Sequence, residues 1–411
     1  MDPSLVPRPD YDALLETYRQ TPEIKVLTGV RRCGKSSLLA LFSERLVAVG
    51  APPENICHLR LDGYDVPLGV DAAWLMGQVS ERLAASQANQ TSYVLLDEVQ
   101  EVPGWEDAVR RLRNRPNTQV TITGSNARVL SGELATLLAG RYIEIPVRPL
   151  GFSEYLAFAK AARWEASSRE SLFADYLTWG GMPGLFAFER GDEDSYERLL
   201  SGIFDTVILK DVLERSAAQD PDLLDRLVRF TFSTSGRLVS TKRVVDALAS
   251  SGRKASQQTV DNYIRALENA LVVEACGQTG IAGKEMLRPL RKFYPVDNGL
   301  RNLTTGFSRT RDLGFQLECV VYNELRRRGF KVNVGSLRAG EVDFVASKRD
   351  ERLYVQVCQS VLDEGTYQRE TAPLEAVGDS FPKLLLVGDR WRLGVTKSGV
   401  RIANVVDWLL G

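Results

Sequence analysis

At 411 residues the chain is too long for one ordinary core, and its 44% hydrophobic and 26% charged content is that of a soluble globular protein of roughly two to four domains. With 52 basic against 53 acidic side chains the net charge is −1, so any nucleic-acid surface has to be local. His58 is the single histidine, which excludes most histidine-based metal sites and triads, and the five scattered cysteines (Cys33, Cys57, Cys276, Cys319 and Cys358) lack CxxC spacing, which fits a reducing compartment and argues against zinc.

The chain opens "MDPSLVPRPDYDALLETYRQ", without a basic-then-apolar leader, and no apolar run is long enough to span a bilayer, so a cytoplasmic protein with no membrane partner is expected. Strands are predicted at 23–29, 55–63, 92–98 and 119–125, with helical patterns between them at 36–49 and 70–85 and a last strand within 141–150. Short β-branched runs alternating with helices imply a parallel sheet covered on both faces. From 151 to 215 the pattern is helical around the turn "WGGMPG"; 221–300 reads as a helix-turn-helix followed by a β-rich stretch; 310–411 reads as a second α/β unit, a helix followed by the strands "KVNVG", "EVDFVAS", "RLYVQVC" and "KLLLVG".

The first strand runs into Gly29-Val30-Arg31-Arg32-Cys33-Gly34-Lys35-Ser36-Ser37, which satisfies GxxxxGK[ST] between a strand and a helix. In that setting the loop N–H groups and the helix N-terminus converge on phosphate oxygens, Lys35 reaches the β- and γ-phosphates of ATP, and the Ser36 hydroxyl ligates Mg2+. "YVLLDE" ends a buried strand in two acids: Asp97 suits Mg2+ through water, and Glu98 suits a general base for the attacking water. At the end of the next strand, Ser125 or Asn126 stands where a polar group can orient that water, or simply caps a helix. Arg141 in "AGRY" reads either as a residue reaching a neighbouring subunit's γ-phosphate or as a surface ion pair.

The ordered set "TGVRRCGKSSLL", "LLDEVQEVPGW", "TGSNARVL", "LAGRY", "PLGFSEYL", "GGMPG" and "LKDVLER" resembles a prokaryotic family of AAA-like P-loop ATPases with a fused C-terminal region. The resemblance spans essentially the whole chain. It implies an α/β fold with a parallel-sheet P-loop NTPase core at 1–150, a helical lid at 151–218, a winged helix at 219–305 and a C-terminal nuclease-like α/β domain at 306–411. Paired arginines after the first P-loop glycine, here Arg31 and Arg32, are typical of that family.

Within the helix-turn-helix, Ser240 or Thr241 is expected to cap a helix through Ala249, and Ser256 a second one whose apolar face carries Val260, Ile264, Leu267 and Leu271. Its outward face offers Gln257, Gln258, Asn262 and Arg265 to base edges or phosphates. A following wing would carry Lys284, Arg288, Arg291 and Lys292; residues 221–300 hold 12 basic and 8 acidic side chains, a local excess of cations. Winged helices also serve as protein-packing modules, and both roles stay open here.

The last domain resembles the restriction-endonuclease superfamily, with Glu318 on a helix and Glu341 and Asp343 on a first strand. The active pattern has an acid on the next strand and a lysine two residues later, on one face by alternation. This chain has Gln356 and Cys358 there. A neutral amide and a thiol suit Mg2+ poorly, and neither supplies the lysine's charge, so a site degenerate for cleavage is expected. Arg326, Arg327 and Arg328 stand as candidate phosphate contacts or as a solvated helix end. The sequence therefore predicts an ATPase, self-associating, that binds branched or structured DNA and couples ATP turnover to remodelling it. The rivals are a STAND-type switch acting on a protein partner and an ATP-controlled nuclease.

Overall fold

The computed structural model describes residues 5–125, 140–164, 168–213, 220–280, 290–308, 312–337 and 340–411. The chain divides into two compact units, Met1–Arg148 with Asn269–Leu271, and Pro149–Glu268 with Val272–Gly411.

In the first unit, β1 (Ile24–Thr28), β2 (Ile56–Arg60), β3 (Ser92–Asp97), β4 (Thr118–Gly124) and β5 (Tyr142–Pro146) form one sheet in the order β2-β3-β4-β1-β5. Every neighbouring pair is parallel. The expected parallel α/β core is therefore present. β1 and β3 are buried at every residue, which is why they read as unbroken apolar runs and not as alternating ones. Helices Pro9–Thr17, Lys35–Ala48, Ala72–Arg82 and Trp105–Arg113 accompany the sheet. Asp71 caps the third of these, its carboxylate accepting from the Trp74 N–H at 2.9 Å. That helix buries Leu75 and Val79, one turn apart, in a core with Val94, Leu96 and Ile122. Each such side chain contributes roughly 1.5–3 kcal/mol by leaving water.

The strand order matters for chemistry. β4 lies between β1 and β3, so the loop leaving β1 and the acids ending β3 flank the tip of β4.

The second unit begins with helices Phe152–Ala161, Arg169–Trp179 and Glu193–Thr206. Their contact is largely aromatic: Tyr155 meets Tyr176 and Phe186 edge-on, with centroids 5.2 and 4.9 Å apart. Helix Pro221–Ser233 follows, then Thr241–Ser250 and Gln257–Asn269, the pair anticipated as a helix-turn-helix. Ser240 caps the first of that pair through the Arg243 N–H at 3.3 Å, and Ser256 the second through the Thr259 N–H at 3.0 Å. Val260, Ile264 and Leu267 are buried on one face.

After these come β6 (Val273–Gly280), β7 (Arg291–Pro295), helices Asn298–Thr305 and Leu313–Arg327, then β8 (Lys331–Leu337), β9 (Gly340–Lys348), β10 (Glu351–Cys358), helix Glu364–Glu375, β11 (Lys383–Val387), β12 (Gly394–Val395), β13 (Arg401–Asn404) and helix Val405–Leu410. All eight strands join one mixed sheet in the order β12-β13-β11-β10-β9-β8-β6-β7. β6 and β7 pair antiparallel, as a wing would, and β6 also pairs parallel with β8. The antiparallel pair of β6 and β7 is thus the end of the C-terminal sheet.

Candidate functional site

β1 ends in a loop whose backbone is folded tightly on itself. A Cβ added at Gly29 would lie 2.1 Å from the Val147 carbonyl oxygen, so only glycine allows this approach. Gly34 has φ of 102°, a left-handed conformation that starts helix Lys35–Ala48. Arg32 is left-handed too, at 62°, and its side chain is exposed, whereas Arg31 pairs with Glu101 at 3.5 Å. The arginines therefore leave the loop backbone open. Cys33 is fully buried, its thiol donating to the Val147 carbonyl at 3.3 Å, and burial pushes its pKa up. Arg8 braces the same loop: its guanidinium donates to the carbonyls of Cys33 (3.1 Å) and Arg148 (2.9 Å) and lies over the Tyr11 ring.

The Lys35 ammonium is buried and donates to the loop's own carbonyls, Gly29 at 2.9 Å and Val30 at 3.3 Å. It lies 3.6 Å from Glu98 Oε1, longer than a hydrogen bond. Glu98 has φ of 53°, a left-handed conformation uncommon for a non-glycine residue and one that clusters at functional sites.

Thr123 of β4 ties the two acids together. Its hydroxyl donates to Asp97 Oδ1 at 2.6 Å and accepts from the Glu98 N–H at 2.8 Å. Burial raises the pKa of Asp97, and the hydrogen bonds from Thr123 and from the Ser36 side chain oppose that shift. Ser36 and Asp97 thus meet as hard oxygen donors, a set that fits Mg2+. The Gln100 amide donates to Glu98 Oε2 and, at 3.4 Å, to the buried Ser125 hydroxyl, so Ser125 belongs to this cluster. Sequence reasoning missed Thr123, Gln100 and Arg8. Strand alternation held a signal for the first, since Thr123 shares a face with Ser125. Asn126 lies outside the described residues.

Arg141 is exposed at the opposite end of the sheet. Its carbonyl accepts from the Ile24 N–H at 3.1 Å, at the start of β1, four residue steps from Thr28. That is about 13 Å along the strand, so Arg141 is not brought together with its own chain's loop.

In the second unit, Gln257, Gln258, Asn262 and Arg265 are all exposed on one helix, with the Gln258 amide donating to Asn262 Oδ1 at 2.9 Å. Lys284 and Arg288 lie outside the described residues. Lys292 corrects the sequence reading: it is 2% exposed and offers nothing to an external partner. Arg326, Arg327 and Arg328 are likewise spent internally. They pair with Glu274 at 3.0 Å, Glu154 at 2.9 Å and Glu324 at 2.8 Å; the fold brings the first two acids to that helix end, and Glu324 lies one turn earlier in the same helix.

Glu318 and Asp343 do come together, around Lys292. Its ammonium is 2.9 Å from Glu318 Oε1, 2.6 Å from Glu341 Oε1 and 3.2 Å from Asp343 Oδ1. The Tyr294 hydroxyl donates to Glu318 Oε1 at 2.5 Å. Gln356 adjoins the cluster, its Oε1 accepting from the Asp343 N–H at 3.1 Å and its amide donating to Glu370 Oε2 at 2.9 Å. Cys358 packs in the apolar core with Tyr354 and Leu385, and burial pushes its thiol up to about 12. Burial, then the charge of Asp343, raises Glu318 to about 7.

The sheet order, the loop after β1 and the acids after β3 define an AAA-like P-loop ATPase. A family model described as an AAA domain matches residues 21–156, and one described as a domain of unknown function (DUF8612) matches 170–311. An uncharacterized protein of Haemophilus influenzae is 37% identical over 410 residues, covering 100% of both chains. An uncharacterized protein of Methanocaldococcus jannaschii is 28% identical over 368 residues, covering 86% of this chain and 78% of its own. The fold is shared with a Walker-type ATPase of Pyrococcus abyssi at a TM-score of 0.51 and 16% identity, over 72% of this chain and 95% of that one. This chain belongs to the family of the Haemophilus influenzae protein, and its first unit carries the AAA domain.

Proposed function

We propose that the chain is a Mg2+-dependent ATPase that binds branched or structured DNA through its C-terminal unit and couples ATP turnover to DNA remodelling. The convergence of Lys35, Ser36, Asp97 and Glu98 at the tips of β1 and β3 carries the reading. In it, the N–H groups of Gly29 to Ser37 cradle the phosphates, and the Lys35 ammonium exchanges the Gly29 and Val30 carbonyls for β- and γ-phosphate oxygens. Ser36, and Asp97 through water, would hold Mg2+, which would supply charge neutralisation on the phosphates. Glu98 takes the proton of the attacking water, with Gln100 holding its carboxylate and the Ser125 hydroxyl accepting from the same Gln100 amide. Arg141, remote from its own loop, serves a neighbouring subunit in a self-associated form.

For DNA the support is the exposed polar face of Gln257, Gln258, Asn262 and Arg265. A second reading, a switch that holds nucleotide and acts on a protein partner, draws on the near-zero net charge and on the internally paired arginines at 326–328. An ATPase assay against single-stranded, duplex and branched DNA separates the two. Stimulation with salt-sensitive binding supports the first; turnover indifferent to every DNA, with nucleotide retained through purification, favours the second.

A further inference from the structure

Lys292 sits in mid-β7, 3% exposed in its side chain, among three carboxylates delivered by two elements. Glu318 comes from helix Leu313–Arg327, and Glu341 and Asp343 from alternate positions of β9. An ammonium has three protons, and here each has its own carboxylate oxygen at 2.6–3.2 Å. Burial alone would lower the pKa of this lysine; the charges of Asp343, Glu318 and Glu341 outweigh it and hold the group well above its ordinary value. The carboxylates are fixed from behind as well. The Val357 N–H donates to Asp343 Oδ2 at 3.0 Å, and the Tyr294 hydroxyl to Glu318.

The restriction-endonuclease resemblance implies Mg2+ among Glu318, Asp343 and an acid on the next strand. The residues present do not fit it. The acid position is Gln356, whose amide is committed to Asp343 and Glu370, and the oxygens a metal would use already converge on nitrogen. Mg2+ needs near-octahedral oxygen ligands at about 2.0–2.1 Å, whereas three of these oxygens stand 2.6–3.2 Å from the ammonium nitrogen, a hydrogen-bond spacing. Among the described residues, no group of three or more His, Cys, Asp and Glu side chains is disposed to hold a metal ion.

We propose that Lys292 is the resident cation of this site: its ammonium takes the place of a divalent metal, closes the carboxylate cluster, and fastens the β6–β7 hairpin to helix Leu313–Arg327 and β9. The C-terminal sheet then carries no hydrolytic metal and does not cleave DNA. Removing the ammonium uncovers a latent divalent-cation site, because Glu318, Glu341 and Asp343 are left without a counter-charge.

The test is Mn2+ binding to the nucleotide-free full chain, read from loss of the free-ion electron paramagnetic resonance signal and from the melting temperature. The first unit is common to all variants, so differences between them report on this cluster. Lys292→Met is expected to bind one more Mn2+ than the wild type, at least about tenfold more tightly, and to be stabilised by it. Adding Glu341→Gln to that variant should remove the gain. A folded Lys292→Met chain with no extra Mn2+ would overturn the proposal. If Lys292→Met folds only when Mn2+ is present, the proposal stands. If it folds under neither condition, the wild type decides: Mn2+ binding that Glu341→Gln weakens makes this a working metal site and overturns it, and absence of such binding supports it.

Discussion

Two buried lysines, one in each unit, do opposite things with the same chemistry. Lys35 is 3% exposed and Lys292 is 2% exposed, and each has its ammonium in hydrogen-bond contact with oxygen. Lys35 rests on two neutral carbonyls of its own loop, and the Glu98 carboxylate stands off at 3.6 Å. Phosphate oxygens outbid carbonyls for a cation, since a charge-assisted hydrogen bond is about twice as strong as a neutral one. Lys292 has three carboxylates already, so no incoming anion improves its position. A lysine backed by carbonyls is available to a ligand; a lysine enclosed by carboxylates is part of the scaffold.

The comparison breaks most visibly at Lys35. Lys35→Ala is expected to lower ATP turnover by at least about a hundredfold and to weaken nucleotide binding, measured by steady-state hydrolysis and by binding of a labelled analogue. Unchanged turnover would remove the phosphate assignment from the loop. Glu98→Gln sharpens the same side: binding stays, while turnover falls by about 10²–10⁴-fold. A variant as fast as the wild type would move the base elsewhere, with Asp97 next to be tested.

On the other side, burial pushes the Glu318 carboxyl of the closed cluster up. Its pKa is raised from 4.5 to about 7, so its contribution to stability is fully present below about pH 4.5 and is lost as pH rises through about 7. Glu318→Gln should therefore flatten the fall of stability between about pH 5 and about pH 7, by up to about 1.4 kcal/mol per pH unit, as read by denaturant unfolding across that range. An unaltered slope would mean that Glu318 stays ionised beside Lys292. The smallest effect is expected at the exposed helix face. Arg265→Ala should weaken DNA binding uniformly across sequences and reduce the salt slope by about 1, which fluorescence anisotropy at several salt concentrations would measure.

The first unit was legible because its signals are local. β1 to β5 match the predicted runs to within one residue, β4 starting at Thr118, and the loop proposed to cradle phosphate is nine consecutive residues, Gly29 to Ser37. Glu98, two strands away in sequence, became a candidate because its acidic pair ends a buried strand in a chain that also carries the glycine-rich loop; an acidic strand end alone reads as a solvated turn. What escaped was set by contacts between distant residues. Thr123 bonds across strands to Asp97, 26 positions earlier. Lys292 reads as a basic wing residue until the hairpin joins the C-terminal sheet, which brings it to Glu318 and Asp343, 26 and 51 residues on. Arg327 looks like a phosphate contact until folding delivers Glu154, from 173 residues away, to its guanidinium. Charge runs in a sequence carry no record of which acids the fold will place beside them.

The central claim is that the first unit turns over ATP and the second answers to DNA. Its most direct test is steady-state ATP hydrolysis by the full chain with Mg2+, wild type against Glu98→Gln, each with and without a branched DNA. The account predicts wild-type turnover that rises on adding DNA, and a Glu98→Gln variant that binds ATP yet stays near background in both conditions. Turnover in Glu98→Gln equal to the wild type, or wild-type turnover untouched by any DNA, would contradict it.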